Sequence, residues 1–425
     1  MIFETIGQVI VYIVMACAVI GAIFAIKDED SGIGGEFMMA FRQMGDVFIP
    51  LAGMMAAAPY IAKFVELVFG QLYGAIGADL AMAPGLLIAI DMGGYQMANA
   101  LSSSPEGWIM GALNCYMFGP IIAFTIPVGF SMLEKRDHKY FALGIMAGIL
   151  SIPFGVLISS AILKYSHTPL RGMVSTSSEA DLFLHLQWSQ ILLNILPLAV
   201  FCVILALLLR FLTDICVKVF ICFGNGLTAA IKISLVLAIV ETNTGFLSRI
   251  FPWWGFAPII ADETDIMRAL EVTGFIAIML AGAFPLVYLI RRFCEKPLEK
   301  AGSKLGFSSV GSAGIVAAAA NLLAMFRLLP DMEPEDKVKN VAFGVCGAWL
   351  LGDHIAFTAN FQPNLLGILM IGKLLGAIIA IFIAKFIAVP VARRYAQKDR
   401  ADGVISEDEY RAKEQLLPYQ RRTQA

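Results

Sequence analysis

Charged residues are scarce in this sequence. Asp, Glu, Lys and Arg together make up only 15% of its 425 residues, against about a quarter in ordinary soluble proteins. Hydrophobic residues make up 59% of the chain, and a soluble fold of this length would still expose too much of that apolar surface to water. The shortage of charge therefore excludes an ordinary soluble domain and predicts a protein whose solvent is largely lipid.

Several motifs are also missing. There is no GxxxxGK[ST] loop for direct ATP drive, and no HExxH or GxSxG motif that would favour a membrane-embedded hydrolase. The seven cysteines form no CxxC pair and no spaced Cys/His cluster, so no metal or other cofactor is predicted. No basic stripe with interleaved aromatics points to nucleic acid. The sequence predicts a protein that is not an enzyme.

Long apolar segments are plentiful. A helix needs about 20 mostly apolar residues to cross the hydrocarbon core of a bilayer. Eleven segments approach this length, at 6–26, 46–70, 79–101, 107–130, 140–163, 187–212, 218–240, 270–291, 308–328, 341–361 and 364–389. Glycines and prolines interrupt several of them, which is tolerated where protein or a wet cavity satisfies the backbone. The prediction is an all-α polytopic membrane protein of about 10–12 transmembrane helices with broken or re-entrant segments.

The distribution of basic residues adds a constraint on topology. Clusters at 135–139, 291–304 and 393–400 all favour the cytoplasmic side. They agree only if one segment between 308 and 389 enters and leaves on the same side, and 341–361 is our candidate for such a re-entrant or broken element. An aromatic cluster, FPWWGF at 251–256, is typical of a membrane–water interface.

The two halves of the chain share sequence. GALNCYMFGPIIAFT (111–125) aligns with GVCGAWLLGDHIAFT (344–358), and GLLIAID (85–91) aligns after one gap with GIVAAAAN (314–321). We predict an N-terminal transmembrane repeat (1–165), a connecting loop (166–186), a C-terminal transmembrane repeat (187–391) and a soluble tail (392–425). Many transporters built from repeats bind their substrate near the midplane, between broken helices. The predicted site lies between 85–125 and 314–361.

Two acidic residues within apolar segments, Asp91 and Asp353, are the strongest site candidates. A charge at the bilayer centre costs something like 3 kcal/mol, so each needs a partner, a wet cavity or a ligand. A carboxylate beside an aromatic face such as Trp349 suits an ammonium ion. Asp353 could instead be an intramembrane ion-pair or capping residue. Further candidates are Asn360, Thr358, Asn99 and Asn321 as hydrogen-bonding groups, and His354 as a proton relay or an ordinary hydrogen-bonded side chain.

The segments GDHIAFTANFQP (352–363) and IDMGGYQMA (90–98) resemble the ethanolamine utilisation membrane proteins of the EutH type. The resemblance implies a multi-pass permease for ethanolamine in the bacterial inner membrane, with protonated ethanolamine and the lipid bilayer as its partners. It supplies no set of binding residues. A permease for an amino acid or nucleoside, and a non-transporting scaffold or sensor for ethanolamine enzymes, stay open as alternatives. The sequence indicates neither a coupling ion nor an oligomeric state.

Overall fold

The computed structural model describes residues 2–252, 268–293 and 306–403, with isolated residues at 297, 300 and 302. Most of the FPWWGF cluster, at 253–256, and much of the basic segment 294–305 lie outside the described residues. The α-helices are α1 (Ile2–Ala25), α2 (Gly32–Arg42), α3 (Met44–Ile76), α4 (Gly94–Leu101), α5 (Pro105–Met117), α6 (Ile126–Met132), α7 (His138–Ile149), α8 (Ile152–Ser166), α9 (Trp188–Phe211), α10 (Thr213–Thr244), α11 (Phe246–Ile250), α12 (Arg268–Phe293), α13 (Ser309–Ala320), α14 (Leu322–Leu328), α15 (Pro334–Gly347), α16 (Asp353–Phe361), α17 (Leu366–Ile383) and α18 (Val389–Ala401).

Long apolar helices dominate the described part of the chain. Seven are long and apolar enough to cross a membrane: Thr5–Ala25, Pro105–Met132, His138–Ser166, Trp188–Phe211, Lys218–Thr244, Arg268–Ile290 and Pro363–Ala401. A bent pair, Gly32–Ala58 with Tyr60–Ile76, meets the same criteria as one broken span with a bend of 67°. The chain is therefore a multi-pass helical membrane protein, as its composition predicted.

The predicted span 79–101 turns back on itself. It consists of three short 3₁₀ turns (Leu80–Met82, Pro84–Leu86, Ile90–Met92) followed by α4. Its two ends meet, because the Asp79 carboxylate accepts hydrogen bonds from the Ser103 backbone N–H (3.1 Å) and hydroxyl (2.6 Å). We call residues 79–103 the first hairpin. Pro84 and the paired glycines Gly93–Gly94 prevent a continuous helix, and Asp91 lies near the tip.

A second hairpin is formed by α13 and α14 (residues 308–332). At one end the Ser308 N–H donates to Asp336 (2.8 Å), at the start of α15, and at the other end Met332 packs against Gly314. Asn321 has an extended backbone and interrupts the helix at the tip, where its side chain caps α14. The 12 residues of α13 reach about 18 Å, which is short of the roughly 30 Å hydrocarbon core.

Between 308 and 389, the element that turns back is therefore 308–332, and of our two alternatives for 341–361 the structure shows the broken element. That region contains a break between the end of α15 at Gly347 and the start of α16 at Asp353. A break was expected there, and the polar residues that suggested it lie at the interruption.

The two hairpins enter the bundle from opposite sides. The first ends beside Pro105, where the span Pro105–Met132 begins. The second ends beside α15, whose Lys337 forms an ion pair with Asp137, just beyond the other end of that span. Because Lys135, Arg136 and Lys139 flank Asp137, the second hairpin lies on the cytoplasmic side and the first on the external side.

The connecting loop and the tail complete the fold. Residues 166–186 contain a two-stranded antiparallel sheet, β1 (Leu170–Arg171) with β2 (Ala180–Leu182). The predicted soluble tail begins inside α18, whose Asp399 is buried and accepts a hydrogen bond from Tyr140 (2.7 Å). Residues 404–425 lie outside the described residues. The boundaries between the two repeats stay a prediction.

Candidate functional site

A cavity of about 100 Å³ lies where the tip of the first hairpin meets two helix breaks, one between α5 and α6 and one between α15 and α16. It is lined by Ala89, Asp91, Met92, Pro120, Phe124, Trp349, Asp353 and His354. Ala89, Asp91 and Met92 come from the first hairpin, and Pro120 and Phe124 from the break between α5 and α6. Trp349 comes from the break between α15 and α16, and Asp353 and His354 from the first turn of α16. The structure thus brings four of the predicted site residues, Asp91, Trp349, Asp353 and His354, into one cavity.

Glycines at the two breaks let the hairpin tips come close. A Cβ added at Gly119 would collide with the backbone oxygen of Ile88 in the first hairpin, and one added at Gly352 would lie 2.7 Å from the backbone oxygen of Ala320 in the second. Pro120 follows Gly119 and leads into a π-helical turn at Ile121–Thr125, as expected where proline removes a helix donor. Gly119 and Gly352, which stand opposite each other in the sequence comparison, therefore each lie against a backbone oxygen of a hairpin.

Trp349 has an unusual backbone. Its φ of +55° lies in the left-handed region, which costs a bulky residue on the order of 1–2 kcal/mol. Neighbouring contacts hold it there, because the Leu351 N–H donates to Ala319 in the second hairpin (2.9 Å) and the Trp349 ring packs 5.5 Å from the Phe124 ring. Such strain is found at functional sites more often than elsewhere, and here it places an indole ring on the cavity wall.

The cavity is electrostatically one-sided. It has two carboxylates, and neither lysine nor arginine lines it. In the part of the chain that the structure describes, neither Asp91 nor Asp353 forms an ion pair. The buried Lys373 in α17 donates to the Tyr116 carbonyl instead (3.0 Å). Asp353 is the first residue of α16, where the helix dipole favours negative charge. The arrangement suits a small cation.

His354 also lines the cavity. Its ring packs edge-on against Tyr116 at 5.2 Å and lies 5.9 Å from the Trp349 ring. Its Nδ1 atom is buried and has no hydrogen-bond partner among the described residues. A buried polar atom without a partner is costly. A ligand that formed a hydrogen bond with this nitrogen would remove that cost. Its role as a proton relay stays a prediction.

Two predicted residues, Thr358 and Asn360, do not line the cavity. The Thr358 hydroxyl bonds to the Tyr116 hydroxyl (2.8 Å) and the His354 carbonyl (2.5 Å), and the Asn360 amide donates to the Ala356 carbonyl (2.8 Å). Each therefore satisfies a carbonyl of its own helix four residues earlier.

The other two amides also lie outside the cavity. Asn321 uses its side-chain oxygen to cap α14 through the Leu323 N–H (2.9 Å). Asn99 is in α4, and its backbone carbonyl accepts from Ser102 (2.8 Å). Among the described residues, neither Asn99 nor Asn321 forms a hydrogen bond with Asp91 or Asp353.

Sequence reasoning missed Phe124 of the cavity and the buried Lys373, which lies outside the cavity and bonds to the Tyr116 carbonyl. Phe124 lies on the cavity wall and belongs to the IAFT run shared by the two halves, so the repeat already marked it. Lys373 is 1% exposed within the apolar segment 366–383. A charge in such a segment is the signal that found Asp91 and Asp353, and it would have found Lys373 as well.

Gly93 provides a test of the first hairpin. Its φ of +91° and the nearby Met54 side chain both disfavour a Cβ. We expect Gly93→Ala to destabilise the protein by about 1–2 kcal/mol and to lower its melting temperature in detergent. Gly74→Ala, at a helical position with open space around it, should leave the melting temperature unchanged or raise it. Equal melting temperatures for the two variants would contradict the backbone described for Gly93.

The sequence of residues 6–387 matches the family described as "Ethanolamine utilisation protein, EutH". The chain belongs to this family. It is 34% identical over 397 residues to a protein of Listeria monocytogenes named "Probable ethanolamine permease EutH", covering 93% of this chain and 98% of the relative. It is 33% identical over 417 residues to an Escherichia coli protein of the same name, covering 93% and 99%. No solved structure matches the chain.

Proposed function

We propose that this chain is a permease that carries ethanolamine across the bacterial inner membrane, as the printed names of its Listeria and E. coli relatives suggest. The observation that carries the proposal is that two carboxylates without an ion-pair partner among the described residues, Asp91 and Asp353, line one cavity at the tip of the first hairpin. Ethanolamine is largely an ammonium ion at neutral pH, so its charge complements this cavity.

The shape and chemistry of the cavity fit the whole molecule. A volume of about 100 Å³ holds several waters or one small solute. The carboxylates would hold the ammonium group, and the rings of Trp349 and Phe124 would add cation–π attraction. His354 offers the free Nδ1 atom to the hydroxyl group. Thr358 and Asn360 were our first candidates for the hydroxyl, and His354 replaces them because it lines the cavity.

Similar contacts occur in the two halves, although Asn114 stands opposite Gly347 and not Asn340 in the alignment of 111–125 with 344–358. Gly85 of the first hairpin packs against Asn114, and Gly314 of the second packs against Asn340. The Asn114 amide donates to Met82 (2.9 Å) and the Asn340 amide to Gly311 (3.0 Å). In both halves, the acceptor lies three residues before the packed glycine.

Hairpins that enter from opposite sides suit alternating access. The first hairpin lines the cavity, and the second contacts the cavity wall through the bond from Leu351 to Ala319. Movement of the first hairpin would open the cavity to the outside, and movement of the second would open it to the cytoplasm. The substrate would then be exposed to one side at a time.

The test is uptake of labelled ethanolamine into proteoliposomes at acidic external pH, where the freely permeating uncharged form is scarce. We expect saturable uptake at least about tenfold above protein-free vesicles, since a bound cation crosses far faster in a site than through hydrocarbon. Unlabelled ethanolamine should compete for this uptake, and amino acids and nucleosides should not. Competition by one of those solutes would assign a different substrate. Uptake no faster than in empty vesicles would favour a scaffold or sensor.

A further inference from the structure

A second, larger cavity shares no lining residue with the one at Asp91 and Asp353 and lies at the cytoplasmic end of the bundle. Its volume is about 890 Å³. It is lined by Phe130, Lys135, His138, Lys139, Ala142, Leu143, Met146, Leu209, Arg210, Phe211, Lys218, Val391 and Tyr395. The spans Pro105–Met132 and Trp188–Phe211 end here, and His138–Ser166 and Lys218–Thr244 begin here. The cavity, which we call the basic groove, therefore lies at the level of the lipid headgroups.

The basic groove carries mostly positive charge. Four lysine and arginine side chains and one histidine line it, and no carboxylate among the described side chains does. Lys139 is partly neutralised by an ion pair with the buried Asp399. Lys135, Arg210 and Lys218 have no ion-pair partner in the described part of the chain. Three cations without a partner among the described side chains thus face one concave surface.

The walls of the basic groove are apolar. Leu143, Met146 and Leu209 line its interior, and the adjoining surface of α9 and α10 continues the apolar character toward the membrane, with Phe211 71% exposed and Ile215 57% exposed. A soluble anion would use the cations alone. An amphiphile with an anionic head and hydrocarbon chains would use both the cations and the apolar walls.

The position on the cytoplasmic side selects one class of amphiphile. The cytoplasmic leaflet carries anionic lipids, and basic pockets between transmembrane helices on that side bind their headgroups. We propose that the basic groove is a binding site for an anionic phospholipid, whose phosphate contacts Lys135, Arg210 and Lys218 and whose acyl chains lie along α9 and α10. This site is separate from the proposed ethanolamine site, and its test does not depend on transport.

The test measures lipid retained by the full-length protein purified in detergent. Titration with phosphatidylglycerol or cardiolipin, followed by native mass spectrometry, gives the affinity. Each basic residue near an anionic surface contributes about 1 kcal/mol, so the triple variant Lys135→Gln, Arg210→Gln and Lys218→Gln should lose roughly a hundredfold in affinity. Phosphatidylcholine, which has no net charge, should bind weakly to both proteins.

The control removes three other basic residues from the same end of the protein, Lys27→Gln, Arg394→Gln and Lys398→Gln, none of which lines the groove. It should keep the affinity of the unmodified chain. The variant Lys135→Arg with Lys218→Arg keeps the charge and should also bind, which separates lost charge from lost folding. Equal affinity of the two triple variants would overturn the proposal. Saturation of the groove by inorganic phosphate at the same concentrations would assign it to a soluble anion instead.

Discussion

Replacing both Asp91 and Asp353 with asparagine is expected to reduce saturable ethanolamine uptake by at least about a hundredfold. Asparagine keeps the shape of each side chain but removes the negative charge that the ammonium ion requires. Loss of one partner from a buried, hydrogen-bonded charge pair typically costs about 2–5 kcal/mol, and the variant loses both negative partners of the cation. The measurement is the initial rate of labelled uptake into proteoliposomes over a range of ethanolamine concentrations.

Single variants and one control sharpen this result. Asp353→Asn and Asp91→Asn should each reduce uptake, because both carboxylates line the same small cavity. Asp181→Asn, on an exposed position of β2, should transport normally. Saturable uptake that survives in the double variant would show that these carboxylates do not hold the substrate. Loss of uptake in the Asp181 control would point to a general effect on the preparation.

The carboxylates of the site could be found from sequence because they break a strong pattern. Asp91 and Asp353 each interrupt a segment that is otherwise apolar. A charge at membrane depth is energetically costly, so such charges are found mainly where they serve a function. Gly119 and Gly352 could be paired because the two runs ending in IAFT share their spacing. Local sequence therefore predicted that Asp91 and Asp353 lie close together, and the structure places both in one cavity.

The distinction between a crossing helix and a hairpin could not be made in the same way. Residues 79–101 and 308–328 are both mostly apolar, as crossing helices are. What makes the first one return is the bond between Asp79 and Ser103, which are 24 residues apart. Hydropathy indicates only whether a segment avoids water. It contains no information about a contact between two residues such as Asp79 and Ser103.

The positions of Trp349 and Thr358 also depend on contacts that the sequence does not show. In one continuous helix, residues four or five positions from Asp353 would share roughly its face. The helix begins only at Asp353, and Trp349 precedes it in a left-handed conformation. Trp349 reaches the cavity from the break, whereas Thr358 bonds to its own helix and to Tyr116. The break before Asp353 thus means that helical periodicity cannot predict where the Trp349 side chain lies.

The ion pair between Lys337 and Asp137 leads to the second large expected effect. Both side chains are 1% exposed and their charged atoms are 2.5 Å apart, joining α15 to the segment before α7. Lys337→Met should destabilise the protein by about 3–5 kcal/mol, because it leaves the Asp137 carboxylate buried without its cation. Thermal unfolding in detergent measures the loss. Arg42→Met, which breaks the exposed pair with Asp30, should cost less than about 1 kcal/mol.

The double variant Lys337→Met with Asp137→Leu distinguishes a contribution of the pair from a penalty of the single variant. Taking both charges out of water is itself costly, so a buried pair replaced by apolar side chains of similar volume is often no less stable. We therefore expect the double variant to recover most of the stability lost in Lys337→Met. If it stays as unstable as the single variant, the attraction between the two charges exceeds their desolvation cost. The pair would then be a net stabilising link between the cytoplasmic ends of the two halves, close to the point where the second hairpin meets α15.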